Sequence, residues 1–188
     1  YDIKKFILEV YTDCEHIESA LEQDLIFFKA NDPACDYLST PLLFYKGFLG
    51  LATHRAANCL WNNDRHTMAL FFQNRASEVF GIDIHPAATI AGGVMLDHAT
   101  GIVIGQTCNI ETEVSIFQGV TLGGTGNESG KRHPDVKQGA TIYASSTVLG
   151  NIEIGEGSTI AAGSLVLKSV KPGLTVAGIP AKDVTNSN

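Results

Sequence analysis

The chain has 188 residues, with 13 Lys and Arg against 20 Asp and Glu, for a formal net charge of −7. No basic cluster is interleaved with aromatic residues, so nucleic-acid binding is not expected. No apolar run approaches the roughly 20 residues needed to span a bilayer, and no basic and apolar leader opens the sequence. We therefore expect a cytoplasmic protein without membrane contact.

Residues 1–82 are predicted to form a helical domain. Aromatic and charged residues are concentrated there, and apolar residues recur three and four apart between residues 2 and 30. Ser39, Thr40 and Pro41 are typical of a helix start and predict a helix that continues through residue 61.

The cysteines show neither a Cys-x-x-Cys motif nor the spacing of metal ligands. None lies beside a His or a Gly-rich turn that would lower a thiol pKa, so a catalytic thiol is the weaker alternative. We predict reduced packing residues at Cys14, Cys35, Cys59 and Cys108.

An apolar residue recurs every six positions through the second half of the chain, which is the signature of an internal repeat. We call this six-residue repeat the apolar beat. It shifts by two residues after Ile102 and is interrupted between Leu122 and Val136. Its members are Ile84, Ile90, Leu96, Ile102, Ile104, Ile110, Ile116, Leu122, Val136, Ile142, Val148, Ile154, Ile160 and Val166.

A period of six fits neither an amphipathic helix nor a simple alternating strand, but it fits short strands joined by tight corners. Three such hexads would close a coil of about 18 residues, with successive coils stacked at strand spacing. A generic β-sandwich is the alternative, and its strands would not keep a fixed inward column. The pattern resembles that of left-handed parallel β-helix proteins, and the handedness rests on that resemblance. We therefore predict an α+β protein with a left-handed β-helix over residues 83–184, a protruding loop at 123–135 and a tail at 185–188.

Asp83 and His98 are candidates for a catalytic pair. They lie fifteen residues apart, slightly less than one coil, so we expect them on adjacent coils within reach of each other. A His oriented by a carboxylate is a general base suited to neutral pH. Taken alone, the pair is better explained by a capping Asp and a corner His.

The motifs DIHPAA, MLDHATGIVIG, VTLGGTG followed by RHP, GNIEIG and VAGIPAK together resemble serine O-acetyltransferases, members of the hexapeptide-repeat acyltransferases. The resemblance extends from about Asp32 to Val184. It implies transfer of an acetyl group from acetyl-CoA to the hydroxyl of L-serine, the first step of cysteine biosynthesis from serine. His98 would take the hydroxyl proton and Asp83 would orient its ring, with direct attack on the thioester and no acetyl-enzyme.

Serine would be selected by groups that bind its carboxylate and its ammonium. The resemblance assigns the carboxylate to Arg132 and His133, and the ammonium to Asp32 and Asp97. From the residues alone, Asp32 before Pro33 is as well explained as a helix cap, and Arg132 as a solvated loop cation.

The loop that follows Leu122 interrupts the beat, and protruding loops on rigid scaffolds often carry function. Its glycines are not a P-loop, because no strand leads into a helix there. The resemblance places Gly124, Thr125, Ala144 and Ala162 along a channel for acetyl-CoA, which is a co-substrate. We expect no tightly bound cofactor and no metal.

The resemblance also implies a homotrimer with active sites between neighbours, and a dimer of trimers as the larger assembly. L-Cysteine is nearly isosteric with serine, so we expect it to compete as a feedback inhibitor. The family's contact with O-acetylserine sulfhydrylase uses a C-terminal Ile, which DVTNSN lacks, so that partner is not expected.

Three other functions remain open from the residues. A γ-class carbonic anhydrase would bind zinc through three histidines, for which His85, His98 and His133 are the candidates. A hexapeptide acetyltransferase could instead modify a sugar, and a silent repeat scaffold would bind no CoA. We assign His85 no role in the site.

Overall fold

A computed structural model of the chain describes residues 3–14, 16–126 and 129–186. Residues 127 and 128 of the expected loop and the last two residues of the tail lie outside that description. The described residues first form five α-helices and then a parallel β-helix, as the sequence predicts. The helices are α1 (Ile3–Asp13), α2 (His16–Asn31), α3 (Ser39–Phe44), α4 (Lys46–Asn62) and α5 (His66–Phe80).

The β-helix has three flat sides, each a sheet of short strands from successive coils. The first side contains β1 (Ile82–Ile84), β4 (Ile102–Ile104), β7 (Thr121–Gly123), β10 (Thr147–Leu149) and β13 (Leu165–Val166). The second side contains β2 (Thr89–Ile90), β5 (Asn109–Ile110), β8 (Asp135–Val136) and β11 (Glu153–Ile154). The third side contains β3 (Met95–Asp97), β6 (Ser115–Phe117), β9 (Thr141–Ile142), β12 (Thr159–Ile160), β14 (Thr175–Ala177) and β15 (Lys182–Asp183), the last antiparallel to its neighbour.

The apolar beat forms the core. In the first side Ile84 pairs with Ile104, Ile104 with Leu122, and Leu122 with Val148, so successive beat residues stack in one inward column. Equivalent columns run down the other two sides, and almost all of their residues are fully buried. A column of branched aliphatic side chains at strand spacing excludes water along the whole axis, which is why the six-residue period survives in the sequence.

A buried ion pair inside the helical domain, together with its neighbours, also hydrogen-bonds to the first coil. Arg55 of α4 donates from Nε and Nη2 to the two carboxylate oxygens of Asp24 in α2, each at 2.8 Å, and the amide of Val94 donates to the same carboxylate at 3.0 Å. Polar side chains of α4 also bind carbonyls of the first coil: Arg55 those of Ile90 and Ala91, and Asn58 those of Pro86 and Ala88.

Two expectations about the helical domain are wrong. The helix that begins at Ser39 does not continue to residue 61, because Tyr45 adopts an extended backbone and separates α3 from α4. Cys14 and Cys59 are not reduced thiols but are joined in a disulfide, since packing of α1 against α4 brings their Cα atoms to 6.4 Å. A separation of 45 residues gives no spacing signal for such a pair.

Among the described residues, no helix is long and apolar enough to cross a bilayer.

Candidate active site

His98 projects from an enlarged corner of the β-helix. The beat takes eight residues from Leu96 to Ile104 instead of six, and the two additional residues enlarge the turn between β3 and β4. His98 and Ala99 both adopt left-handed backbone conformations, with φ of 55° and 59°, which are uncommon for residues other than glycine. The His98 side chain is 74% exposed as a result.

A pocket beside His98 contains two carboxylates. It is formed by the start of α4 and the enlarged corner, and it includes Asp32, Tyr45, Asp97 and His98. Asp97 Oδ1 lies 4.0 Å from His98 Nε2. Burial raises the pKa of the Tyr45 phenol, and the negative charges of Asp32 and Asp97 raise it further. Both carboxylates are therefore close enough to Tyr45 to influence a charge inside the pocket. An imidazole beside two carboxylates suits a substrate that carries both an ammonium and a proton to be removed.

Corners of the following coils lie in line with His98. Backbone hydrogen bonds connect Thr100 to Gly119, Gln118 to Ser145, and Ala144 to Gly163. We call this edge the His98 corner, comprising residues 98–101, 118–119, 144–145 and 162–163. Ala144 and Ala162, which are predicted to contact acetyl-CoA, therefore lie on the same edge as His98, on coils further towards the C-terminus.

Arg132 and His133 lie on a different edge. The interrupted coil returns through them into β8, next to the turn that follows β4. Arg132 Nη2 donates to Gln106 Oε1 at 2.7 Å, and His133 Nδ1 contacts the hydroxyl of Thr107 at 2.8 Å. We call this edge the loop corner, comprising residues 85–88, 105–107, 123–126 and 129–134. Gly124 and Thr125 belong to it, and a Cβ on Gly124 would lie 3.3 Å from His133 Nε2.

Asp83 is not paired with His98 within the chain. Its Oδ1 accepts a hydrogen bond of 2.7 Å from Nε2 of Gln73 in α5, and among the described residues His98 donates no hydrogen bond to Asp83. Asp83 lies on β1, near the loop corner, where it counteracts the lowering of the His85 pKa that burial and then Arg132 produce.

The predicted site residues thus form two sets at opposite ends of the first side. Asp32, Asp97, His98, Ala144 and Ala162 adjoin the corner that precedes β4, whereas Arg132, His133, Gly124 and Thr125 adjoin the corner that follows it. Strand β4 alone separates the corners by roughly 10 Å.

Sequence reasoning missed several residues that organise these sets. Gln73 and Thr107 carry no motif that marks them, because their partners are distant in the sequence. His85 had a signal, since it follows Asp83 by two residues in DIHP, and the structure places it where Arg132 and His133 influence its charge.

The free thiols are not candidate nucleophiles. Cys35 and Cys108 are buried, and burial raises the pKa of Cys108 to about 12. A thiol with that pKa supplies almost no thiolate at neutral pH. The described part of the chain contains no group of three His, Cys, Asp or Glu residues arranged to hold a metal ion.

Comparisons with known proteins agree on one family. Residues 1–53 match the family described as "Serine acetyltransferase, N-terminal". The serine acetyltransferase of Escherichia coli strain K12 is 51% identical over 183 residues, which are 97% of this chain and 67% of that protein. The chain therefore spans about two thirds of the length of this relative.

Solved structures of similar proteins carry the same fold. A Neisseria gonorrhoeae serine acetyltransferase in complex with serine has a TM-score of 0.91 at 47% identity, covering 93% of this chain and 72% of its own. A Brucella abortus strain S19 serine acetyltransferase in complex with coenzyme A has a TM-score of 0.95 at 44% identity, and the match covers 100% of this chain and 75% of that one. A serine acetyltransferase complex with cysteine has a TM-score of 0.92 at 49% identity, and the match covers 94% of this chain and 73% of that one.

Proposed function

The chain belongs to the serine acetyltransferase family, and we propose that it performs that family's reaction. The acetyl group passes from acetyl-CoA to the hydroxyl of L-serine, giving O-acetylserine and CoA. The observation that carries the proposal is the pocket that combines the exposed imidazole of His98 with the carboxylates of Asp32 and Asp97. Complexes of relatives with serine and with coenzyme A support the choice of substrates.

The chemistry needs one base and no enzyme nucleophile. His98 removes the proton of the serine hydroxyl as its oxygen attacks the thioester carbonyl. The carbon–sulfur bond then breaks, and His98 returns the proton to the departing thiolate. A thiol with an ordinary pKa of about 8.5 leaves readily, so direct transfer within a ternary complex is chemically reasonable.

The decisive test measures CoA release from acetyl-CoA with L-serine, with sugars and with no acceptor. We expect release that depends on serine and is abolished by His98→Ala. Release with a sugar alone would overturn the acceptor, and no release with any acceptor would leave the scaffold and zinc hypotheses. Arg132→Ala should raise the KM for serine much more than that for acetyl-CoA, because the guanidinium binds the carboxylate.

We further propose a homotrimer in which each site is completed by two copies of the chain. The separation of the two sets along the first side supports this arrangement, because the His98 corner of one copy can face the loop corner of the next. Asp83 would then reach His98 of the neighbouring copy. Gly124 and Thr125 of one copy and Ala144 and Ala162 of the next would line the same acetyl-CoA channel.

Mixing two impaired variants, at a serine concentration well below the raised KM of Arg132→Ala, tests the shared site. His98→Ala damages one set and Arg132→Ala the other, so a mixed trimer contains one interface at which both sets are intact. Random reassembly of equal amounts should restore about a quarter of wild-type activity. A site built within one chain predicts no recovery, because every chain then carries a lesion in its own site.

L-Cysteine is proposed as a competitive ligand of the same groups. It differs from serine only in its thiol, and a relative has been solved in complex with cysteine. Cysteine should raise the apparent KM for serine, and an Arg132→Ala variant should lose affinity for both amino acids. Failure of cysteine to displace serine would remove it as an inhibitor.

A further inference from the structure

Thr107 holds both residues of the Arg132–His133 pair through one hydroxyl. Its Oγ1 lies 3.1 Å from the backbone nitrogen of Arg132 and 3.1 Å from that of His133, and it accepts a hydrogen bond from each. Lys131 Nζ donates to the carbonyl of Thr107 at 2.6 Å. The end of the loop is therefore folded around this one residue.

The same hydroxyl fixes the proton on the His133 ring. A threonine hydroxyl has one hydrogen and two lone pairs, and the two amides occupy the lone pairs. Its hydrogen must then point to His133 Nδ1, which lies 2.8 Å away. The amide of Thr107 also donates to Nδ1, at 3.2 Å. With two donors directed at it, Nδ1 is an acceptor, and the ring carries its proton on Nε2.

The opposite ring nitrogen has no partner in the described part of the chain. Nε2 lies between Gly105 and Gly124: a Cβ on Gly105 would overlap the ring, and one on Gly124 would lie 3.3 Å from Nε2. Burial, then Arg132 and Lys131, lower the pKa of His133, so the ring is neutral near pH 7. It presents a single unused donor next to a residue predicted to line the acetyl-CoA channel.

We propose that Thr107 is a positioning residue that makes His133 a neutral hydrogen-bond donor through Nε2. The inference rests on the proposed function and deepens it. Arg132 supplies the positive charge that binds the substrate carboxylate, while His133 supplies one directed hydrogen bond to that group. An imidazolium at this position would instead require two donors to point at a protonated Nδ1.

Two substitutions at Thr107 separate this role from simple packing. Thr107→Val keeps the shape of the side chain and removes the hydroxyl, whereas Thr107→Ser keeps the hydroxyl. We expect Thr107→Val to lower kcat/KM for serine about ten- to hundredfold, and Thr107→Ser to stay within about threefold of wild type. Thr107→Val keeps the backbone amide donor to Nδ1 but removes the hydroxyl donor, so protonation of His133 becomes easier and the pH profile of kcat/KM should no longer follow that of the wild type.

The ring state can be read directly by ¹⁵N NMR of histidine-labelled wild-type protein between pH 6 and 8. The proposal expects an unprotonated Nδ1 and a protonated Nε2 for His133, assigned by the loss of its signals in His133→Gln. A protonated Nδ1, or a Thr107→Val variant with wild-type kcat/KM and pH profile, overturns it. The NMR result does not depend on turnover, so it remains decisive for the ring state if serine-dependent CoA release is absent and the proposed function fails.

Discussion

Gln73 Nε2 donates a hydrogen bond of 2.7 Å to Oδ1 of Asp83, which ties helix α5 to the first strand of the β-helix. A carboxylate held by one fixed donor has a defined orientation for its second oxygen. If Asp83 orients a catalytic imidazole, the helical domain therefore contributes to the active site.

Gln73→Leu should lower kcat/KM for serine about tenfold, because Asp83 loses the donor that fixes it. Asn74→Leu is the matched control, since Asn74 is exposed on the same helix and undergoes the same change of polarity. Steady-state kinetics of both variants with circular dichroism spectra are sufficient. Equal losses in the two variants would mean that Gln73 acts only through the helix.

Arg55→Ala should lower the free energy of unfolding by about 3–5 kcal/mol, because it leaves the Asp24 carboxylate buried without its partner. Arg75 and Glu78 form an exposed pair in α5, and Arg75→Ala should cost less than about 1 kcal/mol. Urea unfolding at one fixed protein concentration compares them. The buried pair has no special weight if the two variants lose the same stability.

His54 should make the fold less stable as the pH falls. Burial lowers its pKa to about 3, so below the ordinary value the unfolded chain binds a proton that the folded chain does not. The resulting loss of folding free energy is absent above pH 7 and grows as the pH falls from about 6.5 towards 3. It reaches about 2 kcal/mol at pH 5. His54→Gln removes it.

Urea unfolding at pH 7 and pH 5 measures the effect. The wild type should lose about 2 kcal/mol more between these values than His54→Gln does. His16→Gln, at an exposed position, should follow the wild type. Parallel pH profiles for wild type and His54→Gln would contradict the prediction.

Gly105→Ala should displace His133, because the added methyl group overlaps the imidazole ring. We expect the KM for serine to rise at least tenfold while the coil stays folded. Circular dichroism and urea unfolding of Gly105→Ala control for damage to the coil itself. An unchanged KM in Gly105→Ala would show that the ring is free to move.

Much of the fold could be predicted because each side of the β-helix needs one inward apolar residue, and these residues recur every six positions in the sequence. Columns such as Ile84, Ile104 and Leu122 need an aliphatic residue on every coil, so an aliphatic residue recurs in the sequence once per side of each coil. In the structure the two irregularities in the beat coincide with site residues. The shift by two residues before Ile104 falls at the corner of His98, and the interruption before Val136 contains Arg132 and His133. The roles assigned to these site residues stay predictions.

The remainder depends on contacts between distant segments, which no local pattern records. The Cys14–Cys59 disulfide, the Gln73–Asp83 hydrogen bond and the anchoring of His133 by Thr107 join residues 10 to 45 positions apart. The expected contact of Asp83 with His98 was inferred from coil length, which gives the coil a residue occupies but not the direction of its side chain.

The side chains of Asp24, Arg55 and Asn58 also have a protective consequence. The first coil of a β-helix ends in peptide groups with no strand above them, and such an open edge recruits strands from other molecules. Arg55 and Asn58 occupy carbonyls on that edge, and Asp24 occupies an amide. The helical domain therefore terminates the stack, and without it the coils would be prone to aggregate end to end.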